Sequence, residues 1–67
     1  MRSIHGEERE EIIAGFRCKL KKKGDTIAEL ARKNGISPHV FYVRLHDTEN
    51  GLYGKVRDTI LDYLLEK

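Results

Sequence analysis

Two apolar-periodic segments, each too short to hold a helix on its own, are separated by only Asn34-Gly35-Ile36-Ser37. The first carries Ile27, Leu30 and Ala31 on one face and opens at Thr26. Glu29 follows at the spacing where each side chain can satisfy a free amide of the first helical turn. This segment can run only to about Asn34, because Gly35 readily takes the positive φ that ends a helix and turns the chain. Ser37 is a good N-cap for a restart. Pro38 at the next position loses an N–H that had no intrahelical partner, so a helix is expected over residues 38–46. Helices joined this closely cross steeply only when a turn residue is left-handed and the facing side chains are small. Gly35 and Ala31 supply both conditions.

The flanking sequence is also helical. Residues 7–23 place Ile12, Ile13, Phe16 and Leu20 on one face, with glutamates in the first turn, lysines in the last and Gly24 as terminator. Residues 47–54, with Asn50-Gly51, read as a loop. Residues 55–66 repeat Val56, Ile60 and Leu64 with Leu61 and Leu65 beside them, the stripe of an amphipathic helix. The expected fold is all-α: one domain over residues 1–67, about four helices and no strands, with the helix pair at about 26–46.

A 67-residue chain buries only roughly 60% of its unfolded surface, which leaves no room for a cleft lined by several catalytic groups. No enzyme activity and no small-molecule substrate are expected. Walker loop, dinucleotide fingerprint and nucleophile arrangement are all lacking from the sequence. His39 and His46 are seven residues apart, with His5 and Cys18 elsewhere, which is not a zinc spacing; neither metal nor cofactor is expected. No apolar run approaches the roughly 20 residues of a membrane span. The single Cys18 allows no internal disulfide and faces either the core or solvent. The N-terminal stretch has no apolar signal segment, so the cytoplasm is the expected compartment.

The net charge of +2 hides a local asymmetry. Glu7, Glu8, Glu10 and Glu11 outweigh Arg2 and Arg9, and then Arg17, Lys19, Lys21, Lys22 and Lys23 follow without an intervening acid. Cations at a helix end complement its dipole, which accounts for such a run in a protein with no anionic partner. The acids are expected in the first turn of the first helix and along the last one, away from the basic run.

The stretch TIAELARKNGISPHVFYVRL resembles the helix-turn-helix of bacterial and phage DNA-binding proteins, with Ala31 four residues before the turn Gly35 and Ile36 after it. Gly35-Ile36-Ser37-Pro38 followed by Phe41-Tyr42 and Leu45 is similar to the Fis and Hin-type recombinase variants. The outer helices are similar to those of small lambda-repressor, Cro and Ner-like phage regulators. The chain departs from the pattern at Asn34, where an apolar residue is usual, and at Arg44, where many members carry an aliphatic one. Leu45 is expected to take over that packing role. The resemblance implies a sequence-specific double-stranded DNA-binding regulator, most simply a homodimeric repressor occupying an inverted-repeat operator.

At about 100° per residue Phe41 and Leu45 share the core side of the third helix, with His39, Tyr42, Val43 and His46 opposite. His39, Tyr42 and Val43 are the candidates for base readout, Val43 suiting a thymine methyl. That open face lacks the Gln, Asn, Lys or Arg that most often reads base edges. Phosphate contacts are assigned to Thr26, Ser37, Arg32, Lys33, Arg44, His46 and the basic end at Lys21, Lys22 and Lys23, with Lys55 and Arg57 as flanking candidates. One short recognition helix reads few base pairs, so a homodimer is expected, joined through Leu52, Tyr53, Leu61, Leu64 and Leu65; these residues equally serve to close the monomer core. The alternative is a helical adaptor or antirepressor that binds protein rather than DNA, which an exposed apolar patch centred on Tyr42 and Val43 favours.

Overall fold

A computed structural model describes residues 3–66 and places them in four helices: α1 (Gly6–Lys23), α2 (Ile27–Lys33), α3 (Pro38–Leu45) and α4 (Gly54–Leu65). The architecture is all-α. α2 packs on α3, α1 on α4, and α3 against α4. Gly24 ends α1 at φ 72°, and the Thr26 hydroxyl accepts the Glu29 N–H at 3.2 Å to open α2. Ser37 stands at the N-cap of α3 in extended backbone, but its side chain makes no capping hydrogen bond. Asn34 has a reason to be polar: its side-chain amide donates to the Leu30 carbonyl at 2.8 Å and closes the C-terminus of α2.

The core is built around Phe16, whose ring stacks on Phe41 at 6.1 Å and meets Tyr63 edge-on at 5.5 Å. Leu20, Ala31, Ile36, Leu45, Val56 and Ile60 fill the space around these rings. Leu45 is fully buried and takes the packing position that Arg44 does not fill. Leu52 is fully buried as well, because an antiparallel backbone bridge ties it to Ile4: each N–H donates to the other's carbonyl, at 2.8 and 2.9 Å. It therefore closes the monomer core and is withdrawn from the expected dimer surface.

Two cations on α1 hold distant helix ends. Arg9 is buried and donates through Nη2 to the Leu45 carbonyl at 2.5 Å, satisfying a C-terminal group of α3. Lys19 Nζ donates to the Tyr63 carbonyl at 2.6 Å, to that of Leu64 at 3.4 Å and to that of Glu66, and so closes the end of α4. Arg57 is buried and pairs with Asp58 at 2.7 Å, which removes it from the flanking phosphate candidates.

Tyr63 donates its hydroxyl to Asp25 Oδ2 at 2.8 Å. Burial first, and then this bond to a carboxylate, push the phenol up to about 12 from its ordinary 10.0. The folded state thus prefers the protonated phenol. Its contribution is intact below pH 10 and is lost as pH rises from there through about 12. Chemical denaturation across that window should show stability falling more steeply for the wild type than for Tyr63→Phe. Parallel curves would remove Tyr63 as the group responsible.

Candidate nucleic-acid interface

Gly35 adopts φ 70° between α2 and α3, and Ala31 beneath it is fully buried, so the two helices meet through a small side chain. Phe41 and Leu45 then fix α3 by one side. The opposite side is uncovered: Tyr42 is 45% and Val43 54% exposed, and His39 and His46 are exposed too. The Tyr42 and His46 rings lie stacked, 6.4 Å apart and 12° from parallel, so His46 shares the Tyr42 surface. Val40, 39% exposed, adds to this surface and was missed by sequence reasoning. At 100° per residue it lies only 60° from Val43 and at the edge of the core stripe, where either environment fits.

The cations divide into two groups. Arg44 extends over the Tyr53 ring at 4.9 Å, and a Cβ at Gly54 would lie 3.8 Å from its Nη1. Lys55 Nζ would lie 3.5 Å from a Cβ at Gly35, beside the turn that leads into α3. Arg44 thus reaches from the end of α3 to the start of α4, where Lys55 stands, and residues 38–46 contain no acid. At the far end of α3, Asp47 accepts the Asn50 N–H at 3.0 Å and the Asn50 side-chain amide at 2.9 Å. Those bonds, the backbone one first, hold its carboxyl below the usual range and pin the loop.

In the second group the acids of α4, expected away from the basic run, lie beside it. Lys23, Arg32 and Lys33 line a groove of about 760 Å³ together with Asp25, Glu29, Asp62 and Glu66. Lys23 is ion-paired with Glu66 at 3.4 Å and Asp25 at 3.8 Å, and its Nζ lies 4.8 Å from the Tyr63 ring centre. The end of α4 thus brings acids against α2, and this end of the molecule has a mixed field. Lys21 and Lys22 are exposed, as are Thr26 and Ser37. Cys18 is exposed and in no disulfide.

Of the proposed dimer residues, Tyr53, Leu61 and Leu64 are half-buried and Leu65 is 80% exposed. Among the described residues, no group of three or more His, Cys, Asp or Glu side chains is placed to hold a metal ion. Nor is any helix long and apolar enough to cross a membrane. Comparison with protein-family models, with curated proteins and with solved structures finds no match.

Proposed function

We propose that the chain is a sequence-specific double-stranded DNA-binding regulator that acts as a homodimeric repressor on an inverted-repeat operator. The observation that carries this reading is the α2–α3 pair: a left-handed Gly35 and a buried Ala31 set the crossing, while the outer face of α3 stays open to solvent. In this reading α3 enters the major groove, with His39, Tyr42 and Val43 at base edges and His46 supporting the Tyr42 ring. Thr26, Ser37, Arg44 and Lys55 contact phosphates, since Arg44 near the end of α3 and Lys55 beside the Gly35 turn bring no acid with them. Lys21 adds to the field, whereas Lys23, Arg32 and Lys33 contribute less because the groove acids offset them.

Selection of bound duplexes from a random DNA pool tests the reading without a known target. The expected product is an inverted repeat whose half-sites lie about 34 Å apart along the duplex. Tyr42→Ala should relax the base preference. Lys55→Ala should weaken binding to every sequence and lower the salt slope by about one. Equal effects of the two substitutions on preference and on slope would overturn this division of roles.

A second reading has its own support. Val40, Tyr42 and Val43 form an exposed apolar surface, and the open face of α3 that they share with His39 and His46 has no side chain that makes bidentate base contacts. A protein-binding adaptor or antirepressor would use that surface. Failure of the pool to enrich, together with weak and salt-insensitive duplex binding, selects this reading instead.

A further inference from the structure

Helix α1 has an acidic first half and a basic second half. Along one side Glu8, Glu11, Gly15, Cys18 and Lys22 follow one another at alternating spacings of three and four, which makes a single stripe, and every one of them is exposed. The stripe borders α4: a Cβ at Gly15 would sit 3.7 Å from Leu64 Cδ2, and Leu61 and Leu65 continue the apolar flank of that helix beside half-buried Leu64. The result is an apolar ridge with the Glu8 and Glu11 carboxylates at one end and the Lys22 ammonium at the other.

Gly15 lies in the interior of an 18-residue helix at ordinary helical φ, where glycine is among the least stabilising residues. The monomer does not require it, since the added Cβ would make only an ordinary van der Waals contact. A second helix approaching closely at this position does require it.

We infer that this face joins two copies of the chain, with the two α1 helices antiparallel and crossing at Gly15. The charge pattern is self-complementary under a two-fold axis. Glu8 and Lys22 lie seven residues either side of Gly15, about 10.5 Å along the helix in each direction. Each Glu8 therefore faces Lys22 of the second copy, and the pair occurs twice, as an isologous interface demands. Leu61, Leu64 and Leu65 cover the margin, while Leu52 and Tyr53 lie outside the contact. The inference rests on the homodimer in the proposed function, and it moves Lys22 from the phosphate contacts to the dimer.

Self-association measured by sedimentation or light scattering without DNA tests it. Glu8→Lys and Lys22→Glu should each weaken the dimer about tenfold, because two ion pairs become two repulsions. The chain carrying both changes should recover it, and an equimolar mixture of the two single variants should associate. Complementation of the α1 dipole alone gives no such recovery, since the doubly changed helix is the least favourable of all. Gly15→Gln should abolish the dimer with a melting temperature no lower than that of the wild type. A wild type that stays monomeric at about 100 μM, or a dimer indifferent to these changes, overturns the inference. Selection of an inverted repeat by a protein that dimerises through another face leaves the DNA reading standing. The described dimer without any DNA selection sinks that reading and leaves the interface.

Discussion

Phe41→Ala is expected to remove about 3–5 kcal/mol of folding stability, the range for a large aromatic deleted from a packed core. A chain of 67 residues has about 3–10 kcal/mol in total, so the variant should lose between about a third and all of its stability. The cause is the position of the ring. Phe41 is fully buried, stacks on Phe16 of α1, and belongs to α3, so its removal opens a cavity between helices that share few other contacts of that size. Nor can collapse fill the gap easily, since Phe16 is held from its other side by Tyr63. Denaturant unfolding followed by far-UV circular dichroism measures the effect. Val43→Ala, two residues on and on the open face, should cost less than about 1 kcal/mol. Comparable losses for the two variants would contradict the assignment of core and outer faces to α3.

The contrast between Phe41 and Val43 was legible in the sequence because it is a local matter. A helical period of 3.6 residues, a turn glycine and a proline at the first helical position all act within a few residues. They placed Ala31, Gly35, Phe41 and Leu45 before any contact between helices was known. The contacts that locate the cations are of another kind. Arg9 reaches the Leu45 carbonyl across 36 residues, and Lys19 reaches the end of α4 across 44 to 47. On a helical wheel both are simply basic residues of α1. Nothing local distinguishes a lysine that closes a distant helix from one that stays in solvent, so the five-cation run looked uniform. In the fold Lys19 is spent on α4 and Lys23 on Asp25 and Glu66, while Lys21 and Lys22 remain exposed. The same reason hid the acids of the groove: Asp62 and Glu66 are remote from Arg32 in sequence and meet the same groove only because α1 and α4 pack together. Leu52 carries the opposite lesson. As a leucine in a polar loop it fitted a dimer contact and the monomer core equally, and the bridge to Ile4 turns it inward.

That bridge makes Gly51→Ala the second large effect, expected to cost about 3 kcal/mol. Gly51 has φ 72°, a left-handed conformation that costs an L-residue roughly 1–2 kcal/mol. Space is the greater obstacle. A Cβ there would overlap the Ile4 carbonyl oxygen and come within 2.9 Å of the His5 ring. The ring can rotate, but the carbonyl cannot move away cheaply, because it accepts the Leu52 N–H at 2.9 Å in a bridge whose other half is the 2.8 Å bond from Ile4 N–H. Relief of the clash therefore breaks a buried backbone pair, which adds roughly 1–3 kcal/mol. Gly24→Ala is the control. Gly24 has the same φ of 72° with nothing within 4 Å of the added carbon, so it should lose only the conformational part, about 1 kcal/mol. The difference between the two variants isolates the cost of the clash, and hydrogen exchange localises it: the Ile4 and Leu52 amides should lose protection in Gly51→Ala and keep it in Gly24→Ala. Equal destabilisation by the two substitutions would mean that the bridge yields freely and does not hold Leu52 in the core. The loop matters to α3 through its neighbours, since Leu52 leads directly into the start of α4, where Lys55 stands beside the Gly35 turn. If the chain binds DNA as proposed, a loosened bridge should weaken that binding beyond the fraction unfolded, by freeing the segment that holds Arg44 and Lys55 beside α3.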